Sequence, residues 1–215
     1  MSTLTEKNRM AEFLLSEGNG QISREAITLA ATTVELVAGT VLARQTLGTA
    51  AVAAAGAGAE GANTGTGLLT MDATTPLLAG AKSGVYTVKC ITAATNGGVF
   101  QVEDPDGFVL GNATVGTAFA DDIKFTIADG TTADFIVGDA FAVTVAAGDG
   151  AYVKYADATA ATLPATAVLY GTAPISDAAQ AAAAIVRNAE VIEARLTGCT
   201  ATAKAALATK NIIVR

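Results

Sequence analysis

Residues 84–105 read GVYTVKCITAATNGGVFQVEDP, and this stretch decides the fold class of the middle of the chain. Apolar and polar residues alternate on both sides of Asn96-Gly97-Gly98, as they do in two half-buried strands joined by a hairpin turn. Similar alternating segments follow at intervals of roughly ten residues. The spacing predicts an antiparallel β-sandwich or barrel-like unit over residues 62–154. Its further strands are predicted in IKFTIA (123–128), DFIVG (134–138), AFAVTVAA (140–147) and AYVKYA (151–156).

The core of this unit is predicted from the larger residues on the apolar face of each strand. Aromatic residues make up only 5% of the chain, so the few that are present should sit where packing matters most. The expected core residues are Tyr86, Val88, Phe100, Val102, Phe125, Ile127, Phe141, Val143 and Tyr152.

The sequence on either side of this unit predicts a second β domain with short helices. ISREAITLA (22–30) alternates as a strand does, and VELVAGTVLARQ (34–45) predicts a strand pair around Ala38-Gly39. After residue 154 the pattern mixes strands with short Ala-rich helices. The elements expected there are a strand entered through Pro164, a helix over Ala178–Ala184, a strand or strand pair in AIVRNAEVIEARL (184–196), a helix near Ala201–Leu207 and a strand at Ile212–Val214.

The chain is therefore predicted to be mainly β, with one domain interrupted by another. The interrupted domain comprises residues 22–48 and 155–215, and the inserted acidic β domain comprises residues 62–154. Residues 49–61 are almost all Gly, Ala and other small residues, which predicts a linker. The G-x-G-x-x-G spacing within it lacks the strand before and the helix after that a dinucleotide site requires, so we interpret it as a chance match.

Residues 1–21 form a separate segment with one apolar cluster, and the Gly-Asn-Gly break at residues 18–20 ends it. Two interpretations are open from the residues alone. The segment is a frayed terminus with one helical turn, or it is an arm whose apolar side chains become ordered on a partner.

The composition argues against catalysis, metal binding and nucleic-acid binding. The chain has no His, two cysteines, 13 Lys+Arg and 20 Asp+Glu, so it offers no imidazole base, no four-thiolate zinc site and no basic stripe. The acidic loops match no EF-hand and are interpreted as solvated turns. We expect no enzyme activity, no cofactor and no bound metal. Mean hydropathy is +0.45, but the apolar runs are too short to span a membrane, and a soluble protein made in the cytoplasm is expected.

Several separated pieces of the flanks, in order, resemble the head decoration proteins of tailed bacteriophages, of the lambda protein D type. They are AEFLLSEGNGQISREAITLA (11–30), VELVAGTVLAR (34–44), TLPATAVLYG (162–171), AAAAIVRNAEVIEARL (181–196) and KAALATKNIIVR (204–215). The middle part resembles a β module that some long members of that family carry.

This resemblance implies a structural role. It implies a homotrimer that seats at local threefold positions of the expanded head and cements it against the pressure of the packaged DNA, with the major capsid protein as partner. It also favours the docking-arm interpretation of residues 1–21, with a capsid-binding set of Ala11, Phe13, Leu14, Leu15 and Ile22. The implied location is the outer surface of the virion, after assembly in the host cytoplasm. No direct contact with nucleic acid or membrane is expected.

Two other classes of function compete with this one. The first is a ligand-binding or adhesin-like β module that acts through loops 95–122. The second is an acid-residue hydrolase, against which the missing His and the few aromatic residues weigh.

Overall fold

The computed structural model describes residues 6–19, 22–56 and 61–215, and within them the chain is mainly β with one short α-helix. The mainly β fold class is thereby confirmed. The chain forms two compact units, which we call unit 1 (residues 1–46 and 149–215) and unit 2 (residues 47–148). The elements are β1 Leu14–Glu17, β2 Arg24–Leu29, β3 Val41–Arg44, β4 Leu47–Ala54, β5 Leu68–Met71, β6 Gly84–Ala94, β7 Gly97–Glu103, β8 Val109–Thr114, β9 Ala118–Ala120, β10 Lys124–Ala128, β11 Ala140–Ala147, β12 Tyr152–Lys154, β13 Ala165–Leu169, β14 Gln180–Ile185, β15 Ala189–Val191, α1 Ala201–Ala208 and β16 Ile212–Val214.

Unit 1 contains a small closed barrel with strand order β12-β2-β14-β13-β3. A three-stranded sheet of order β1-β15-β16 belongs to the same unit. Helix α1 packs its buried Ala203 and Leu207 into a hydrophobic core that residues of the barrel and of this sheet also form. Thr200 caps this helix, since its hydroxyl accepts a hydrogen bond from the Ala203 N–H at 3.2 Å. The predictions of a helix near Ala201–Leu207 and of a strand at Ile212–Val214 are confirmed.

The predicted helix over Ala178–Ala184 is wrong, because this stretch forms the barrel strand β14. It pairs antiparallel with β2 over its whole length, from Gln180 opposite Leu29 to Ile185 opposite Arg24. Alanine favours a helix only weakly, by tenths of a kcal/mol over most residues. A continuous backbone ladder, together with the full burial of Ile185, outweighs that preference.

The strand pair expected around Ala38-Gly39 is also wrong, because only its second half is a strand. The first half contributes a single isolated bridge, between Leu36 and Ala173. Gly39 adopts a φ of 86°, a conformation that favours glycine, and the chain turns there into β3.

Unit 2 consists of two antiparallel sheets, with strand orders β4-β11-β6-β7-β8 and β5-β10-β9. The apolar faces of the two sheets share one core, as in a β-sandwich. Phe100 lies in its middle, with its ring centroid 5.0 Å from that of Phe135 in an edge-to-face arrangement and 6.0 Å from that of Phe141. All the predicted core residues except Tyr152 belong to this cluster.

Three details of the predicted insert need correction. Residues 49–54 are not linker but most of β4, which pairs with β11 from Leu47 to Ala54. The DFIVG segment is a loop rather than a strand, since the Asp139 carboxylate accepts hydrogen bonds from the N–H groups of Thr64, Gly65 and Ile136 and holds the chain in a turn. Pairing with β11 outweighs the weak strand preference of the small residues of β4, and the buried Asp139 carboxylate accounts for the loop.

The third correction concerns AYVKYA, which supplies β12 to the barrel of unit 1. Tyr152 pairs with Arg44 of β3, so it is not part of the unit 2 core. Two backbone hydrogen bonds extend this ladder, from Gln45 N–H to Ala151 O at 2.9 Å and from Gly150 N–H to Gln45 O at 3.0 Å. The chain therefore leaves unit 1 for unit 2 and returns to it through two neighbouring segments that are hydrogen-bonded to each other.

Candidate docking surface

The N-terminal segment, defined here as residues 6–19, contains strand β1, which joins it to the three-stranded sheet of unit 1. Leu14 lies opposite Val191, Ser16 opposite Glu190 and Glu17 opposite Ala189, all on the central strand β15. Within the part of the chain that the structure describes, β1 pairs with β15 alone. Among the described residues no strand pairs with the other edge of β1, and an edge strand of this kind can accept a strand from a partner.

The predicted capsid-binding residues separate into different environments. Phe13 is completely buried and belongs to the core of unit 1, where its carbonyl accepts a hydrogen bond from Ile192 N–H at 2.8 Å. Leu14 is half-buried beside it, whereas the Leu15 side chain is 54% exposed. Leu15 is thus the member of β1 that is best placed to contact a partner, and Phe13 is a structural anchor.

The two remaining members of the predicted set, Ala11 and Ile22, lie before and after β1 in the chain. Ala11 is half-buried and has a φ of 63°, where a chain turn brings its N–H to Tyr170 O at 3.3 Å. Ile22 is half exposed, and its carbonyl accepts a hydrogen bond from Arg187 Nε at 2.9 Å. The sequence and the resemblance predict a docking arm over residues 1–21 that becomes ordered only on a partner. Residues 13–17 instead belong to the core and the sheet of unit 1, because the free energy gained by burying the Phe13 ring exceeds the conformational entropy lost on ordering them. Residues 1–5, 20 and 21 lie outside the described part of the chain.

Sequence reasoning missed Met10, which is 66% exposed and lies against Gly171, where an added Cβ would come within 3.2 Å of the Met10 Cε. Met10 and Leu15 are the two exposed large apolar residues of the segment. The signal for Met10 was weak, because it stands between charged residues and outside the apolar cluster.

Ion pairs hold β1 and the start of β2 together. The Glu17 carboxylate binds the Arg24 guanidinium, whose hydrogen bond lowers the pKa of Glu17 and whose own pKa is raised in return. Arg24 also lies 4.2 Å above the centre of the Tyr170 ring, within range of a cation–π interaction. On β15, hydrogen bonds from Arg215 and then from Ser16 lower the pKa of Glu190.

A second exposed surface lies at the turn between β7 and β8 in unit 2. Asp104 is 5% exposed, and its Oδ1 accepts hydrogen bonds from the N–H groups of Asp106 at 2.9 Å and Phe108 at 2.8 Å. Lys82 Nζ donates to both Asp104 and Asp106 at 2.6 Å. The hydrogen bond from Lys82 and those from the Phe108 and Asp106 N–H groups lower the pKa of Asp104. The locked turn carries Phe108 with 68% of its surface exposed.

This turn belongs to the strongly acidic part of the chain. Residues 47–148 hold ten acidic and three basic residues, so unit 2 carries the whole net charge of −7, while unit 1 holds ten of each. No group of three or more acidic or cysteine side chains in the described ranges has a geometry that could hold a metal ion. Cys90 and Cys199 are both free thiols.

The described residues contain no helix with the length and apolar content needed to cross a membrane. The one α-helix, α1, has eight residues.

The fold and this surface define a class of protein: a mainly β protein with a small barrel, an edge strand near its N-terminus and a β-sandwich inserted in a barrel hairpin. Residues 3–95 match the family model of the bacteriophage lambda head decoration protein D. The match covers somewhat less than half of the chain, and it confirms the resemblance to phage head decoration proteins of the lambda protein D type. It supports a structural role in decorating the phage capsid.

The remaining comparisons add no argument about function. No curated protein matches the chain. Two crystal structures of FlgL from Xanthomonas campestris are 21% identical, with a TM-score of 0.32, and each comparison covers 52% of this chain. The chain spans about a third of the length of those structures, 34% in one crystal form and 33% in the other.

Proposed function

We propose that this protein is a capsid decoration protein that binds the expanded phage head through the N-terminal segment and stabilises it against internal DNA pressure. The observation that carries the proposal is the open edge of β1 with the exposed Leu15 side chain, in a chain that matches the decoration protein family. A strand of the major capsid protein that pairs with this edge gains main-chain hydrogen bonds, while Leu15 and Met10 contribute apolar contact.

The proposed assembly is a homotrimer at the local threefold positions of the head. A ring of three identical heterologous contacts closes on itself, and three docking segments per trimer give avidity that one segment lacks. Because the trimers bind only the expanded lattice, mass action stabilises that lattice. The protein then resides on the outer surface of the virion, after assembly in the host cytoplasm.

The test is co-sedimentation of the protein with expanded, undecorated heads of the source phage. The informative variants are Leu15→Ser and a matched control, Ile213→Ser, which removes a side chain of similar exposure (47%) from β16 at the opposite edge of the same sheet. We expect the wild type and Ile213→Ser to bind the heads saturably, and Leu15→Ser to bind them with clearly lower affinity. Absence of wild-type binding, or equal binding by all three proteins, would contradict it.

A second candidate function is a ligand-binding module that acts through loops 95–122, and Phe108 is the observation that favours it. An aromatic side chain held in the open by a hydrogen-bonded turn contributes little to folding and suits contact with a ligand. Thermal-shift assays of wild type and Phe108→Ser with a glycan panel and with calcium test this function. A shift by a ligand that Phe108→Ser abolishes would support it, and no shift with any ligand would contradict it.

A further inference from the structure

We propose that the free edge of β4 in unit 2 binds an extended peptide strand of a partner protein, with apolar side chains at alternate positions and basic residues at its ends. This site is separate from the N-terminal segment and does not depend on the proposed docking function. Among the described residues, β4 pairs with β11 and with no other strand. Its sequence, LGTAAVAA, contains neither a charged residue nor a proline, the two kinds of residue that commonly keep a sheet edge from pairing with another chain.

The register of β4 shows which main-chain groups face the free edge. Ala55 N–H, one residue beyond the strand, donates to Ala140 O at 2.8 Å, so this residue directs its main-chain groups toward β11. Along a strand these groups point alternately to the two sides. The N–H and C=O groups of Ala50, Val52 and Ala54 therefore point away from β11, where an added strand can pair with them.

The side chains of these edge residues lie on the inner face of the sheet. Val52 and Ala54 stand opposite Val143 and Phe141 of β11, and both of these partners are buried in the core of unit 2. Val52 is nevertheless 36% exposed, because β4 is the last strand of its sheet. The sandwich is therefore open to solvent along β4.

A cavity of about 470 Å³ lies at this opening, between β4 and the end strand β5 of the smaller sheet. Its lining includes Val52 and Ala54 of β4, Leu68 and Leu69 of β5, and Phe141 of β11. Directly opposed residues of neighbouring strands project from the same face of a sheet. Alternate side chains of a strand added to β4 would therefore enter the cavity, and apolar side chains suit it because their burial there removes apolar surface from water.

The charge of unit 2 selects the kind of partner. Unit 2 holds ten acidic and three basic residues, so two copies of it repel each other when their edges approach. A peptide strand with Lys or Arg on either side of its paired part is attracted instead. The occupant is therefore a partner strand with basic ends rather than a second copy of this chain.

The experiment uses the full-length protein and a labelled synthetic peptide with valine at alternate positions, threonine between them and two lysines at each end. Val52→Lys places a charge on the open edge, and Val85→Lys is the matched control, since Val85 is 48% exposed on β6, an interior strand of the same sheet. Ala54→Pro removes one N–H group from the free edge without removing a bond to β11. Fluorescence anisotropy gives the affinities, circular dichroism checks that each variant is folded, and amide hydrogen exchange locates the bound peptide.

We expect the wild type and Val85→Lys to bind the peptide saturably, and Val52→Lys and Ala54→Pro to bind it roughly 10-fold more weakly, the equivalent of one or two lost hydrogen bonds. In the wild type the peptide should slow amide exchange at Ala50, Val52 and Ala54. Replacement of its lysines by glutamate, or a higher salt concentration, should weaken binding.

Three results would overturn the proposal: no saturable binding by the wild type, equal affinities of Val52→Lys and Val85→Lys, or undiminished binding of a peptide that is N-methylated at each valine and so cannot donate to the edge. Sedimentation that shows dimers of the wild type, dispersed by Val52→Lys, would assign the edge to a second copy and would overturn the choice of partner. Failure of the protein to bind heads bears on the proposed function alone, because the peptide assay contains no heads.

Discussion

Phe13 and Leu15 lie two residues apart in the N-terminal segment, the first fully buried and the second 54% exposed. Residues two apart share a face in a regular strand, but Phe13 precedes β1, and the register of β1 with β15 shifts between Leu14 and Ser16. The difference in burial divides the segment into residues that hold the fold together and residues that remain available to a partner.

Phe13→Ala should destabilise unit 1 by about 3–5 kcal/mol, the usual cost of removing a fully buried Phe side chain. Leu15→Ala should change the free energy of unfolding by no more than about 0.5 kcal/mol, because the side chain is largely solvated already. Urea unfolding followed by circular dichroism gives both values. Similar values for the two variants would show that Phe13 is not part of the core.

Deletion of the N-terminus should have two distinct outcomes that depend on where the chain is cut. A chain that starts at Ala11 keeps Phe13 and β1 and should retain its thermal midpoint within a few degrees. A chain that starts at Ile22 loses both, leaves one edge of β15 unpaired and should unfold at a much lower temperature or fail to fold. Calorimetry of the two proteins distinguishes them, and only the shorter deletion leaves a folded protein in which the contribution of Met10 to docking can be measured.

The turn between β7 and β8 should depend on the Asp104 carboxylate. Asp104→Ala removes the acceptor for two backbone N–H groups and the partner of Lys82, so we expect a loss of about 1.5–3 kcal/mol, the range for hydrogen bonds to charged groups. Asp106→Ala loses only an exposed contact with Lys82 and should cost less than about 1 kcal/mol. Equal losses for the two variants would contradict the central role of Asp104.

The pairing of β1 with β15 should weaken in acid. Hydrogen bonds from Arg24 and from Arg215 lower the pKa values of Glu17 and Glu190 below the ordinary value of 4.5. A lowered pKa in the folded state gives a stabilisation that is complete above pH 4.5 and is lost as the pH falls below it. Amide exchange of residues 14–17, corrected for its intrinsic pH dependence, should therefore rise relative to that of β6 between about pH 4.5 and pH 3. In Glu17→Gln the same comparison should depend less on pH.

Unit 2 was the more predictable half of the chain, because its strands are half-buried and alternate in sequence. Val88, Phe100 and Val102 take the core positions expected of them, since a period of two admits one choice of inward face. Asn96, with a φ of 51°, takes the turn position that the Asn-Gly pair indicated.

Unit 1 resisted prediction where its strands are rich in alanine. Ala181–Ala184 has a local preference for helix, and pairing with the partner strands β2 and β13 makes it a strand. The docking surface was predicted in part. The apolar cluster identified Leu15, but the sequence could not tell that the Phe13 ring faces inward.

The hydrogen-bonded stem at Gln45 and Ala151 has a practical consequence for protein engineering. Two antiparallel neighbours of this kind place their Cα atoms about 5.5 Å apart, which is also the separation that a tight turn bridges. We therefore expect the barrel to keep its fold when residues 47–148 are exchanged for a two-residue hairpin loop or for a foreign module whose termini lie equally close. The barrel would then display the inserted module at a defined point of its own fold.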